Sequence, residues 1–192
     1  MAVMPSMNNE IRFFLLSLAR RSIKHFLETH DYLKISETNL PSPELSKKQG
    51  TFVTLTIDEA LRGCIGNIEP LNPIYQDILE NAVSSAFYDP RFLPLSKDEF
   101  NHVKIEISLL SIPQKLDYKN STELLEKLSH AKPGVILQKE MNKATFLPQV
   151  WEELPSALDF LSQLCLKAGL SADEWIMGEL EVKSYTAEVF HE

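Results

Sequence analysis

The stretch TFVTLTIDEALRGCIG, residues 51–66, contains two runs typical of β-strands, joined by a short turn. In the first run, three apolar residues alternate with Phe52 and two threonines, which indicates a strand with one buried face. Those apolar residues are Val53, Leu55 and Ile57. The segment Asp58-Glu59-Ala60 then turns the chain, so the run from Leu61 to Gly66 is predicted to be the second arm of an antiparallel hairpin.

The hairpin stands in a series that reads helix, hairpin, helix, strand. A first helix, capped by an asparagine, is predicted to end near Thr29. After the hairpin, Asn72 is predicted to cap a second helix with Pro73 at its first position, and Asp89-Pro90 ends that helix near Tyr88. The clearest strand pattern in the chain follows at Val103 to Ile112.

The second half of the chain repeats this order. The predicted elements are a helix capped by Asn120, a hairpin over residues 135–147, a helix from Leu158 to Ala168 and a strand from Glu179 to Phe190. Leu158, Leu161, Cys165 and Ala168 are predicted to share the buried face of their helix. The sequence therefore predicts an α+β fold of mainly antiparallel sheet with flanking helices and two structurally similar halves. We expect one domain over residues 1–192, or two lobes that divide near residue 115.

Composition excludes several classes of function. The chain has 192 residues, a formal net charge of -8 and two cysteines. The acidic balance argues against nucleic-acid and anionic-membrane surfaces, which need basic patches. No apolar run approaches the roughly 20 residues of a membrane span, and we expect a cytoplasmic protein with reduced cysteines. Five scattered histidines and two distant cysteines predict no metal site and no cofactor held by such ligands.

The segment LRGCIG, residues 61–66, is the candidate site. On a regular strand Arg62 and Cys64 would share one face roughly 6.5 Å apart, which would place a permanent cation beside a thiol. Gly63 and Gly66 predict a bulge, or a place where a ligand or another backbone comes close. The alternative is that Cys64 is a small buried hydrophobe and Arg62 a solvated edge charge.

Thiol chemistry at Cys64 would need a base, and no histidine is near it in sequence. Cys165 has a core profile because it falls on the apolar face of a helix. Outside the first helix the only arginines are Arg62 and Arg91, so both may serve one cleft or one may pair with Asp89 to lock a loop.

The LRGCIG segment, with the segments around it, resembles the AMMECR-one domain family, whose bacterial and archaeal members are called AmmeMemoRadiSam system protein A. The segments that carry the resemblance are FVTL (52–55), AFYDPRF (86–92), EISLL (106–110), FLPQV (146–150) and KAGL (167–170). The resemblance covers about residues 10–190. Its name implies association with a Memo-like protein and a radical S-adenosylmethionine protein. One departure concerns the hairpin turn, where the family commonly has glycine and this chain has Asp58-Glu59-Ala60.

Two functional hypotheses follow. The first is an accessory component that binds a small ligand, a peptide or a partner protein in a cleft around LRGCIG, and the second is a thiol-dependent enzyme. In the enzyme, Cys64 and Arg62 would be catalytic. The residues predicted to line the cleft are Gly63, Ile65, Gly66, Asp89, Arg91, Phe92 and Gln149. The chain cannot host radical chemistry itself, because an iron–sulfur cluster needs several cysteine ligands.

Overall fold

The predicted hairpin is present in the computed structural model, which describes residues 7–177 and 180–192. Strand β1 (Thr51–Ile57) pairs antiparallel with β2 (Ala60–Asn67). The turn between them has positive φ at both central residues, 50° at Asp58 and 65° at Glu59. Positive φ at both positions is the geometry of the tight turn that suits the twist of a hairpin. The chain therefore makes this turn without glycine.

The register of the hairpin shifts once. Leu55 pairs with Gly63 and Thr56 pairs with Leu61, so Arg62 is an extra residue on β2. A β-bulge of this kind interrupts the alternation of side chains and twists the strand. The prediction that Arg62 and Cys64 share one face assumed regular alternation, which does not hold here. Leu61, which pairs with Thr56, lies instead on the face that carries Thr54 and Cys64.

Two long helices pack on this sheet. Helix α1 (Asn9–Thr29) is capped by Asn8, whose side-chain oxygen accepts a hydrogen bond from the Ile11 N–H at 2.9 Å. Helix α2 (Ile74–Phe87) begins one residue later than predicted, because Pro73 is still extended, with ψ at 144°. The Ile74 N–H binds the Lys47 carbonyl instead of a capping side chain. The short helix α3 (Lys97–Phe100) follows.

The first sheet has the strand order β2-β1-β3-β8, in which β3 is Lys104–Leu110 and β8 is Ala187–His191. Strand β1 is antiparallel to both β2 and β3. The unit that contains this sheet comprises the chain up to Ile112 together with Glu188–Glu192. Its core packs the two long helices against one face of the sheet. Central members of this core are Leu15, Leu18, Ile23, Val53, Leu55, Ile78, Ile105 and Ile107.

The second unit, Pro113–Ala187, has its own sheet in the order β4-β7-β5-β6. Its strands are β4 (Gln114–Lys115), β5 (Gly134–Lys139), β6 (Asn142–Phe146) and β7 (Glu181–Tyr185). Its helices are α4 (Ser121–Ala131), α5 (Val150–Glu153), α6 (Ala157–Lys167) and α7 (Glu174–Met177). In the first unit β1 lies between β2 and β3, and in the second unit β5 lies between β6 and β7. The predicted repeat of elements is therefore confirmed.

Two sequence predictions in the second half are wrong. The C-terminal strand predicted from Glu179 to Phe190 is two strands, β7 and β8, which belong to different sheets; Glu179 itself lies outside the described residues. Ser184 and Tyr185 are both buried, which breaks the alternation of a single half-buried strand. Leu158 is 52% exposed, and α6 buries Phe160 and Leu164 in addition to the predicted Leu161, Cys165 and Ala168.

No helix among the described residues is both long enough and apolar enough to cross a membrane.

Candidate functional site

Gly63 is the point at which α2 lies directly on the hairpin. A Cβ atom at this position would stand 2.1 Å from the Ser85 carbonyl oxygen. The Ser85 hydroxyl accepts a hydrogen bond from the Ile65 N–H at 2.9 Å and donates one to the Val53 carbonyl at 2.7 Å. Both predicted reasons for a glycine are found here: the backbone of α2 comes close to Gly63, and the β-bulge lies at the preceding residue, Arg62.

Gly66 has a similar explanation. A Cβ atom there would lie 2.3 Å from the Phe52 ring and 2.3 Å from the Thr51 carbonyl oxygen. The space beside Gly66 is therefore taken up by the chain itself. Both glycines of LRGCIG are required by packing within the first unit.

The backbone of Cys64 is held by side chains from the loop after α2. Strand β2 lies at an edge of its sheet, where backbone groups have no neighbouring strand. The Asp89 carboxylate accepts a hydrogen bond from the Cys64 N–H at 2.9 Å, and the Arg91 guanidinium donates one to the Cys64 carbonyl at 3.3 Å. Asp89 and Arg91 thus replace the missing strand at this residue.

Asp89 and Arg91 also form a two-point ion pair. Arg91 Nε donates to Asp89 Oδ1 at 2.9 Å and Nη2 donates to Oδ2 at 2.7 Å. The Asp89 side chain is 2% exposed and that of Arg91 is 53% exposed. The bonds from Arg91, together with the backbone bonds, hold the pKa of Asp89 well below its ordinary value. The predicted structural use of Asp89, pairing with an arginine to lock a loop, is what the structure shows.

Arg62, the bulged residue, has its own carboxylate partner. Its Nε and Nη2 atoms donate to the two carboxylate oxygens of Glu99 at 2.8 and 3.2 Å, and Nη2 also donates to the Leu93 carbonyl at 2.8 Å. The Arg62 side chain is mostly buried. Its bonds, with those from Ser96, lower the pKa of Glu99 to about 2. Near neutral pH, Arg62 is therefore paired with an ionised carboxylate.

The thiol of Cys64 is half-buried and accepts a hydrogen bond from the Thr54 hydroxyl at 3.2 Å. Burial raises the pKa of Cys64, and the nearby carboxylates of Asp89 and Glu106 act in the same direction. The Thr54 bond and the charge of Arg91 oppose this shift without overcoming it. The cation that acts on the thiol is thus Arg91 rather than Arg62, and the thiol stays protonated near neutral pH.

Phe92 joins the two arginines. The guanidinium carbons of Arg62 and Arg91 lie 5.7 and 5.5 Å from the centre of the Phe92 ring, within the range of cation–π contact. Leu93, the next residue in the chain, is exposed, and its carbonyl is the one that accepts the bond from Arg62. We call Arg62, Arg91, Phe92 and Leu93 the arginine–aromatic surface.

The predicted site residues divide between the units. The first unit brings Asp89, Arg91 and Phe92 to the LRGCIG strand, as described above. Gln149 belongs to the second unit, directly before α5, where its carbonyl accepts a hydrogen bond from the Glu152 N–H at 3.0 Å. Within residues 7–177 and 180–192, no three side chains of the histidine, cysteine, aspartate or glutamate type come together as metal ligands.

Sequence reasoning missed Glu99 as a partner of the site. Its only sequence signal is local: Ser96 and Glu99 have the spacing of a capping box, and the structure contains that box at the start of α3. The same carboxylate that caps α3 also binds Arg62. Nothing in the spacing of the sequence indicates this second role, because Arg62 and Glu99 are far apart in the chain.

A second cluster missed from the sequence surrounds the buried carboxylate of Asp77. The Thr51 hydroxyl and the Asn67 amide donate to it at 3.0 and 2.9 Å, and the Asn72 amide lies at 3.5 Å. The Asn81 amide in turn donates to the Thr51 hydroxyl at 3.0 Å. Burial raises the pKa of Asp77 despite these bonds. The cluster ties one end of both hairpin strands to α2.

Comparison with known proteins agrees with the resemblance found in the sequence. The AMMECR1 family model matches residues 16–190. Protein MK0488 of Methanopyrus kandleri is 40% identical over 187 residues, which cover 93% of this chain and 87% of that protein. Protein NEQ441 of Nanoarchaeum equitans is 39% identical over 180 residues, 93% of this chain and 98% of that protein. The crystal structure of the uncharacterized protein PH0010 from Pyrococcus horikoshii superposes with a TM-score of 0.88 at 35% identity, covering 97% of this chain and 93% of that one. With a family match over most of its length and relatives of this similarity, the chain belongs to the AMMECR1 family.

Proposed function

We propose that the chain is a cytoplasmic, non-catalytic component that binds a partner protein through the arginine–aromatic surface. The observation that carries this proposal is that both arginines beside Cys64 are already neutralised, Arg62 by Glu99 and Arg91 by Asp89. A cation that is paired with a carboxylate stabilises an anionic substrate or a thiolate less than an unpaired cation does. Paired arginines beside the Phe92 ring and the exposed Leu93 instead have the composition of a protein contact.

The partners that we propose are a Memo-like protein and a radical S-adenosylmethionine protein. This part of the proposal rests on the name of the family that the sequence resembles. The location rests on cysteine usage: Cys64 and Cys165 are both free thiols, which suits a reducing compartment.

The alternative function is a thiol-dependent enzyme that uses Cys64. Two observations favour it: the Thr54 hydroxyl donates to the sulfur, and the positive charge of Arg91 stabilises a thiolate. Burial acts more strongly in the opposite direction. No histidine is among the hydrogen-bond partners of Cys64 in the described part of the chain, so a Cys–His pair has no support in the geometry.

Binding to the proposed partners can be measured with purified proteins by isothermal titration calorimetry. Leu93→Asp is the informative variant, because Leu93 is 82% exposed and its replacement leaves the core untouched. A charge placed in the middle of an apolar contact should weaken binding by about tenfold or more. Met141→Asp is the matched control, since Met141 is 96% exposed at the tip of the β5–β6 hairpin.

The proposal predicts saturable binding of at least one partner, weakened about tenfold or more by Leu93→Asp and unchanged by Met141→Asp. Equal binding by both variants would move the contact elsewhere. Absence of binding to either protein would remove the partnership from the account. Because both substitutions lie at exposed positions, thermal unfolding of the two variants should match the parent chain and exclude misfolding as the cause.

A further inference from the structure

A groove of about 270 Å³ lies between α1 and α3 in the first unit. It shares no residue with the arginine–aromatic surface, and the proposed function makes no use of it. The residues that line it are Lys24, Leu27, Glu28, Lys97, Phe100 and Asn101. Leu27 and Phe100 are partly buried and pack against the core, so they form an apolar floor.

Phe100, in the floor of the groove, is held in place by Arg20. The Arg20 guanidinium lies 5.3 Å from the centre of the Phe100 ring, and its Nη1 atom donates to the Phe100 carbonyl at 3.3 Å. Arg20 is itself held by an ion pair with Glu192. On the other side of α3, the capping box and the Glu99–Arg62 pair anchor the helix. The groove is therefore formed before any ligand arrives, which lowers the ordering cost of binding.

The rim of the groove is positively charged in an acidic chain. Lys24 and Glu28 are 4.0 Å apart at the limit of an ion pair, and both are more than half exposed. Lys97 is exposed and forms no ion pair within the described residues. The three charges leave an excess of one cation, whereas the chain as a whole carries -8. Charge complementarity selects an acidic occupant.

The small size and the exposed rim of the groove favour a peptide over a small molecule. Small-molecule sites generally have volumes of about 300–1,000 Å³ and enclose most of the ligand. At about 270 Å³, with exposed lysines at the rim, the groove accommodates one large side chain while the rest of the occupant stays outside. This is the geometry of an anchor residue on a peptide.

We propose that the groove between α1 and α3 binds an acidic peptide segment of a partner protein. One aromatic or branched apolar side chain of the segment packs on Leu27 and Phe100. Neighbouring carboxylates of the segment lie against Lys24 and Lys97. The proposal is independent of the arginine–aromatic surface and stands or fails separately from it.

Fluorescence anisotropy with a synthetic peptide tests the proposal. The probe is a fluorescein-labelled octapeptide with one central phenylalanine flanked by aspartates and glutamates. Two control peptides replace the phenylalanine with alanine or the acidic residues with lysines. The acidic phenylalanine peptide should bind saturably to the full chain, and both control peptides should bind at least about tenfold more weakly, because each lacks one of the two required features.

Charge-reversal variants locate the site. Lys97→Glu should weaken binding of the probe by about tenfold, because it turns an attraction into a repulsion at the rim. Lys34→Glu, at an exposed lysine outside the groove, makes the same change in net charge and should leave binding unchanged. In an ¹H–¹⁵N spectrum the probe should shift the amides of Leu27, Phe100 and Asn101.

Three outcomes would overturn the inference. The first is no saturable binding of the probe, and the second is an equal loss of binding in Lys97→Glu and Lys34→Glu, which would indicate attraction to net charge alone. The third is a set of amide shifts that excludes α1 and α3. None of these outcomes depends on the Leu93→Asp experiment, so failure here leaves the proposed function untouched.

Discussion

Gly63→Ala should destabilise the first unit severely, although it adds a single methyl group. The new Cβ would stand 2.1 Å from the Ser85 carbonyl oxygen, and the atom it meets is backbone, which cannot rotate away. Either α2 or β2 must shift. Overpacking of this kind costs about 1 to 3 kcal/mol. The shift also strains the two bonds of the Ser85 hydroxyl, each of which contributes about 1 kcal/mol.

Together these effects amount to about 3 to 5 kcal/mol, a large share of the stability of an ordinary domain. Native-state amide hydrogen exchange at Val53 and Ile65 measures the loss in the first unit. Tryptophan fluorescence reports the other unit, because Trp151 and Trp175 both lie there.

Gly134→Ala is the matched control in the second unit. Its new Cβ would lie 2.3 Å from the ring of Tyr185, so the same added methyl should perturb the tryptophan signal most. The contrary result is that the free energies of amide exchange at Val53 and Ile65 in Gly63→Ala stay within about 1 kcal/mol of those in the parent chain. That result would show that the close packing of α2 on the hairpin is not what requires glycine at this position.

The remaining predictions concern buried polar and sulfur groups. Cys165→Ser should lower the free energy of unfolding by about 1 to 3 kcal/mol in urea titrations, and Cys64→Ser by less, because Cys165 is fully buried among apolar side chains while Cys64 is half-exposed beside a hydroxyl. Asp89→Asn should cost about 1.5 to 3 kcal/mol at neutral pH, since it weakens charged bonds to Arg91 and to the Cys64 backbone. The depressed pKa of Asp89 means that its contribution is complete at neutral pH and disappears only as pH falls below the ordinary value of 3.8, so the parent and the variant should converge in acid. The pKa of Asp77 is shifted in the opposite direction, upward, so its ionised form costs stability. The free energy of unfolding should therefore fall as pH rises through this raised pKa. Asp77→Asn should abolish that pH dependence. An unchanged pH profile in either aspartate variant would contradict its assigned contacts.

Local patterns predicted much of the fold because they depend on neighbours in sequence. The alternation of Val53 and Leu55 gave a strand, Asn120 caps its helix as predicted, and the asparagine that caps the first helix is Asn8. These features follow from backbone geometry within a few residues.

Long-range features could not be predicted in this way. The glycines indicated a bulge, but its position at Arg62 depends on the register between two strands, and the pairing of Arg62 with Glu99 depends on where α3 lies. The division of the C-terminal run between β7 and β8 depends on two separate sheets. In each case tertiary packing decides, and one sequence carries no signal for it.

The sequence indicated some of the contacts around Cys64 and missed others. It singled out the glycines, the thiol and the arginines, and it gave pairing of Asp89 with an arginine as one of two alternatives, which is the one that the structure shows. It assigned the neighbouring cation to Arg62, whereas Arg91 is the arginine that acts on Cys64. Strand alternation suggested the first assignment, and only the loop after α2 brings Arg91 to the sheet edge.

The rate of alkylation of Cys64 as a function of pH is the most direct test of whether LRGCIG is a packed binding surface or a thiol active site. Iodoacetamide modification followed by peptide mass mapping separates Cys64 from Cys165, which is fully buried in the folded chain. The account predicts an apparent pKa above the ordinary value of about 8.5, unchanged in Arg62→Gln, because burial dominates and Arg62 is bound to Glu99. An apparent pKa below that value, moved upward by Arg62→Gln, would contradict the account and restore Cys64 as a nucleophile.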